Sequence, residues 1–305
     1  VYFLNEEEKK HLLKRLLPKS RELEVAEELR GWNWHTAPLE PPYGCRLGLY
    51  EVASSYCPTN RDLFLRRVAR VRVKPNVAMV RGSALHAALA HVLVAAKRLI
   101  YQYGVERYTE ICRELQALDP PSLSGAVRDL APEEQADVAQ KMALLTEFEK
   151  ARIVARIQEV LVKHPYIGED SLANLALPLV LEQKLDGSFL GLSQNLSADA
   201  MIAFEPMIMD LKFGEPRDFH YLTTTGYALV MEAVYEYPVN LGCLVYVEFR
   251  DRRIIVRRDL HIIGDELRQW FIEARDEKAR LVEEEIDPGV AEDCHPTCPY
   301  FRVCH

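Results

Sequence analysis

Asp210 and Lys212 stand two positions apart in the segment PMIMDLKFG, and Asp199 precedes them in LSADAMIAF. Alternation along an extended strand puts Asp210 and Lys212 on one face and Leu211 on the other, so a carboxylate and an ammonium group point at one place. A short connection through Glu205 and Pro206 makes the two segments neighbouring strands, with both acids near one end. Two converging carboxylates repel each other unless a cation lies between them. Oxygen donors of this kind suit Mg²⁺ or Mn²⁺. The chemistry this predicts is metal-assisted phosphodiester hydrolysis: the cation polarises a phosphoryl oxygen and lowers the pKa of an attacking water, while Lys212 orients that water or balances the growing negative charge. An Asp-x-Lys tripeptide by itself is equally an ordinary surface ion pair. His86, in RGSALHAALAHVL, lies on an alanine-rich helix from which an imidazole can reach a metal, although a lone helical histidine more often serves a core or a surface. Glu182, in LVLEQKL, is a possible further acid, read first as a solvated strand residue.

A second constellation closes the sequence. Cys294, Cys298 and Cys304 fall in DCHPTCPYFRVCH, too closely spaced for a structural disulfide scheme on so short a loop. Three thiolates in one turn-rich segment imply a soft metal or an iron-sulfur cluster that needs one more ligand. Cys57, in SSYCPTNRDLFLRR, is the preferred fourth, because Cys-Pro opens a turn just before an arginine-rich helix; Cys45, in YGCRLG, is second choice. Joining Cys57 to the tail closes a very long loop and restricts the unfolded chain, so the group is read as a staple. Zinc on the same four thiolates is the alternative, and disulfides stay open for a hyperthermophile. Cys112 and Cys243 suit apolar surroundings and need no functional account.

The elements that must position these groups differ between the two halves of the chain. Residues 5–30 read as one or two amphipathic helices broken near Pro18, and GWNWHTAPLEPP after them as an ordered loop or linker. Helices are expected over residues 60–70, 83–103, 218–237 and 265–285, and over 105–163 with a restart at Pro132. After Pro165 five short apolar or alternating runs read as strands. The 305 residues suit one large domain or a core with an added layer. With 49% hydrophobic and 28% charged residues the chain is neither low-complexity nor extensively disordered. Its formal charge of -8 excludes uniformly basic nucleic-acid binding but not a local basic groove. The absence of a long uninterrupted apolar run or a signal-like start makes a cytoplasmic location and no membrane the expectation.

Together, Gly82-x-x-x-His86, Asp199, Asp210-x-Lys212 and a following helix that carries Tyr227 resemble the RecB-type branch of the PD-(D/E)XK nucleases. That branch usually has Gln-x-x-x-Tyr on this helix; here Thr223 stands at the glutamine position. The resemblance implies an α/β nuclease core with a mixed central sheet, a helical N-terminal layer, and a four-cysteine cluster closing the domain. It also implies that His86, Asp199, Asp210 and the backbone carbonyl of Leu211 hold Mn²⁺ or Mg²⁺, with Lys212 and Tyr227 serving the reaction.

One early cysteine and three late ones are similar to the CRISPR-associated RecB-like iron-sulfur exonucleases, in particular a divergent archaeal subgroup encoded with type I-A adaptation proteins. On that resemblance residues 1–42 form a helical extension and 43–305 the nuclease domain, with a helical insertion at about 105–165 and an iron-sulfur tail at 290–305. The cofactors implied are a [4Fe-4S] cluster on Cys57, Cys294, Cys298 and Cys304, and the divalent ion. The implied function is exonuclease action on single-stranded DNA ends in CRISPR spacer acquisition, alongside the CRISPR integrase proteins and a sister RecB-like nuclease. A non-catalytic DNA-end-binding or scaffold subunit is the alternative.

Arg61, Arg66 and Arg67 are the expected phosphate contacts, against the plainer reading of a solvated charged face. Trp32, Trp34, Tyr43 and Tyr56 suit packing first and stacking on splayed bases second.

Overall fold

The computed structural model describes residues 1–202 and 206–305, so the connection expected through Glu205 lies outside the described residues. Helices α1 (Glu6–His11), α2 (Leu17–Glu22), α3 (Leu49–Ala53) and α4 (Arg61–Arg67) come first, followed by α5 (Val77–Tyr103), α6 (Tyr108–Gln116), α7 (Gly125–Arg128), α8 (Pro132–Lys163) and α9 (Glu169–Ala176). Strands β1 (Val180–Leu185), β2 (Leu196–Ile202) and β3 (Met207–Lys212) lead into α10 (Tyr221–Tyr235). Strands β4 (Leu241–Arg250) and β5 (Arg253–Ile262), then α11 (Asp265–Glu283) and α12 (Phe301–Cys304), complete the chain. Two compact units result: one of Val1, Pro75–Leu179 and Val247–Val256, the other of Tyr2–Lys74, Val180–Tyr246 and Arg257–His305.

The first unit is chiefly helical. Ala84, Leu85, Ala88, Leu89, Val92, Leu93 and Ala96 recur at helical spacing on the buried side of α5. Their small and branched side chains let α6, α8 and α9 pack against it. By length and composition α5 is apolar enough to cross a membrane, which the sequence reading did not expect; in this unit its apolar side meets other helices. Helix α8 starts where expected, with Pro132 in its first turn and Glu133 and Glu134 beside the positive end of the helix dipole.

The mixed sheet runs in the order β1-β2-β3-β4-β5, and the second unit holds β1, β2 and β3 with the parts of β4 up to Tyr246 and of β5 from Arg257. The β1/β2 and β2/β3 pairs are antiparallel and β3/β4 is parallel. A parallel neighbour needs a crossover, and α10 supplies it. Most of α10 is buried, with Leu222, Ala228, Leu229 and Met231 sharing a core with Met201, Ile208, Leu49 and Phe271. Gly226 is the crossing point: a Cβ there would fall 2.4 Å from the Phe271 ring, so any side chain would push α10 and α11 apart.

Glu232, at the far end of α10, is fully buried and accepts hydrogen bonds from Arg268 (2.7 and 2.9 Å), Arg30 (2.8 Å) and the backbone N–H of Gly31 (2.9 Å). Removing one partner from such a group costs about 3–5 kcal/mol, because the remaining charge is stranded away from water. The GWNW segment is thereby clamped to α10 as a short 3₁₀ turn, Gly31–Asn33. Farther along α11, Arg275 donates to the Leu39 carbonyl at 2.7 Å, and Lys278 donates to the carbonyls of Val52 and Ser54 at 2.8 and 2.5 Å. The chain leading to Tyr56 and Cys57 is therefore tied to α11 through its backbone.

Candidate active site and cysteine centre

Strand register assembles the acids. In the β2/β3 pair Ala200 faces Met209 and Met201 faces Ile208, so one further step sets Asp199 opposite Asp210. In the β1/β2 pair Leu181 faces Ala200 and Gln183 faces Ala198, which sets Glu182 opposite Asp199. Three carboxyl residues thus form a row across three strands. The backbone N–H of Leu211 donates to Asp199 Oδ2 at 2.9 Å, fixing that carboxylate against β3, while Leu211 itself pairs with Val245 in the ladder to β4. Glu182 is exposed and takes φ of 48°, a left-handed conformation that costs a non-glycine residue energy and recurs at functional sites.

Asp210 Oδ2 lies 2.8 Å from Lys212 Nζ, with the two side chains 8% and 25% exposed. The oxygen is buried, and no donor besides Lys212 reaches it among the described residues. The Lys212 ammonium is its partner, and a buried carboxylate oxygen with a lone pair to spare beside a second acid is a place a cation can occupy. Burial favours the neutral form of Lys212, but Asp210 outweighs it, with Asp199 and Tyr56 adding, so the pKa lies above the ordinary value and the ammonium persists at neutral pH.

Tyr227 donates to the Ser197 carbonyl at 2.6 Å, pinning β2 just before Asp199. Burial, then the charges of Asp210 and Asp199, push its phenol far up, so it remains a donor. Thr223, one turn earlier, is buried. His86 belongs to the helical unit, half-buried on α5. The sheet unit brings together Asp199, Asp210, Lys212, Tyr227 and Glu182.

Residues that the sequence did not single out complete this region. Tyr2 is buried, and its phenol is raised by burial and then by Asp199, Asp210 and Glu182, so one hydroxyl senses the whole row. His220, just before α10, is also buried; its Nε2 lies 3.0 Å from the Tyr56 hydroxyl and its Nδ1 3.1 Å from that of Tyr246. Burial, and then the Lys212 ammonium, lower its pKa to about 4, against the opposing effect of Asp210. The ring is therefore neutral at pH 7, one nitrogen donating and the other accepting. Tyr246 faces Lys212 in the β3/β4 register, and burial, then Asp259, push its phenol up to about 12.

The cysteines gather in the same unit. Cys57, Cys294, Cys298 and Cys304 are all free thiols and half-buried. Burial raises the Cys294 thiol, and Cys298, Cys304 and Cys57 each raise it further, so the loop before α4 and the tail meet. Cys45 stands apart, donating to the Ala279 carbonyl at 3.5 Å. Turn hydrogen bonds shape the tail, from Cys298 N–H to the His295 carbonyl (2.9 Å) and from Cys304 N–H to the Tyr300 carbonyl (3.0 Å). Thr59 donates to the Gly289 carbonyl at 2.9 Å, tying the Cys57 loop to the same segment. Among the described residues no group of three or more His, Cys, Asp or Glu has closed to metal-ligand spacing. Four sulfur donors without a carboxylate are nonetheless the soft set that zinc or an iron-sulfur cluster takes.

The expected phosphate contacts are already ion-paired. Arg61 holds Asp287 through two bonds of 2.9 Å, Arg66 lies 3.5 Å from both Glu51 and Asp62, and Arg67 lies 2.7 Å from Glu51. A phosphate at these guanidinium groups would share them with carboxylates.

The model of the family described as CRISPR-associated exonuclease Csa1 matches residues 2–305. The chain belongs to this family. It is 34% identical over 293 residues to the CRISPR-associated exonuclease Csa1 of Saccharolobus solfataricus, covering 95% of this chain and 94% of that protein. It is 31% identical over 293 residues to the protein of the same description from Thermoproteus tenax, covering 96% of each. The Csa1 match takes in Tyr2, the acidic row and Cys304, so both centres lie within the family region. Family membership supports a nuclease role in CRISPR.

Proposed function

We propose that this chain is a divalent-metal-dependent DNA exonuclease of the PD-(D/E)XK type, acting on single-stranded ends to process foreign DNA for CRISPR spacer acquisition. The observation that carries the reading is the convergence of the buried Asp210 with Asp199 opposite it in the β2/β3 register and with Lys212 Nζ 2.8 Å from its Oδ2. Asp210, Asp199 and the Leu211 carbonyl would hold Mn²⁺ or Mg²⁺. A divalent ion there supplies Lewis-acid polarisation of the phosphoryl oxygen and a lowered pKa for the attacking water. Lys212, charged at neutral pH, orients that water and offsets negative charge on the phosphate. Tyr227 keeps its proton and holds the strand that carries Asp199.

Cys57, Cys294, Cys298 and Cys304 would hold a [4Fe-4S] cluster, or zinc, as a staple between the loop before α4 and the tail. CRISPR integrase proteins and a sister RecB-like nuclease are the proposed partners, in the cytoplasm. The test is degradation of end-labelled single-stranded DNA with Mn²⁺, by wild type and Asp210→Ala side by side. Cleavage by wild type alone supports the reading. Wild type that binds DNA without cutting it supports the scaffold alternative instead.

A further inference from the structure

Tyr56 combines an exposed ring with a hydroxyl bonded to a buried partner. Its side chain is 69% exposed, yet its hydroxyl points inward to the buried His220, 3.0 Å from Nε2. The edge of its ring meets Phe219 at a centroid distance of 4.9 Å and an interplanar angle of 82°. A solvent-exposed tyrosine ordinarily turns its hydroxyl to water and samples several rotamers. Here the polar end is tethered and the ring plane fixed, while most of the ring stays open.

The tether leads to the acidic row. His220 bonds Tyr246, Tyr246 faces Lys212 across the β3/β4 register, and Lys212 pairs with Asp210. Lys278 holds the carbonyls of Val52 and Ser54 just before Tyr56, and Thr59 just after it donates to the Gly289 carbonyl at 2.9 Å, so the segment is anchored on both sides. A rigid aromatic face beside a cationic group and a carboxylate row suits one chemistry well: a nucleobase stacks on the ring while the adjoining phosphodiester reaches Lys212. Stacking needs only a π-face and tolerates any base, as an enzyme acting on unrelated sequences requires.

Resting on the nuclease reading above, we propose that Tyr56 is a stacking platform for the nucleobase beside the scissile phosphate of a single-stranded DNA end, held in place by His220. The platform binds and orients substrate and takes no part in proton transfer.

The test measures binding, in Ca²⁺, of short single strands that carry either a normal nucleotide or an abasic one at the reacting end; Mn²⁺-dependent cleavage of the same strands is followed in parallel. Wild type is expected to favour the base-bearing strand roughly 10-fold, the scale of one stacked base. Tyr56→Ala should lose that preference, Tyr56→Trp should keep it, and Tyr56→Phe, which keeps the ring but frees it from His220, should keep it only in part. Tyr56→Leu, which retains apolar bulk against Phe219 without a π-face, answers the same question should Tyr56→Ala fail to fold. Full discrimination in Tyr56→Ala or Tyr56→Leu overturns the proposal. Wild type that cleaves both strands without preference overturns the stacking role alone; wild type that neither binds nor cleaves overturns the nuclease reading with it.

Discussion

The acidic row and the cysteine centre share one compact unit but are built by different means. The row stands on three hydrogen-bonded strands, and register fixes which carboxyl residue faces which. The cysteines lie on a turn before α4 and on a tail of short turns, where only a few backbone bonds hold each sulfur. Ladder hydrogen bonds and a buried core organise a site before its ion arrives. A loop-borne site depends on the bound group for much of its order. The contrast predicts that metal loss at the row costs activity, whereas metal loss at the cysteines costs structure.

The sharpest separation comes from Lys212→Ala. Cleavage should fall about 1000-fold, the scale for removing a charge-stabilising group from a transition state, with single-strand binding retained. Single-turnover cleavage beside a binding titration checks it, and a variant as active as wild type breaks the assignment of Lys212. At the other centre, Cys294→Ser should abolish any visible cluster absorbance and lower Tm by about 10 °C, several kcal/mol at this size. Iron, sulfide and zinc analysis with calorimetry reads it; an unchanged Tm with full metal content would remove the staple.

Much of this contrast was legible in the sequence, and what escaped has a common cause. Hydrophobic alternation marked the five strands, and Pro132 marked the start of α8, because both signals are local. Asp199, Asp210 and Lys212 announced themselves by residue type on short strands. Glu182 read as a solvated position, since nothing local reveals that two registers bring it level with Asp199. Tyr2 and His220 carried no spacing signal, because each meets the site through contacts distant in sequence. The arginines illustrate the converse: Arg61, Arg66 and Arg67 form a conspicuous basic run, but their carboxylate partners include Asp287, far along the chain.

Smaller effects refine the comparison. Tyr227→Phe removes the hydrogen bond to the Ser197 carbonyl, a loss of about 1 kcal/mol in stability. Cleavage should fall by more than that energy accounts for, because the strand carrying Asp199 loses its anchor. Matched unfolding curves and rates test it, and equal rates would confine Tyr227 to a structural role.

The smallest effect is a pH dependence. His220 titrates near 4 in the folded protein against an ordinary 6.5, so the unfolded chain takes up a proton first as pH falls. Its contribution to stability is complete above about 6.5 and is lost between there and about 4. His220→Gln should flatten that limb of the stability curve in urea midpoints between pH 7 and pH 4.5; an identical slope would show that His220 is not buried neutral.

The central claim is that the carboxyl row on the sheet is the cleavage site. Its most direct test is degradation of an end-labelled single strand across a Mn²⁺ titration, by wild type and Asp210→Ala preparations with equal cysteine-centre metal content. Saturable, Mn²⁺-dependent shortening from the end by wild type, absent in Asp210→Ala, is the predicted result. Equal degradation by both proteins would contradict it and move the chemistry elsewhere in the molecule.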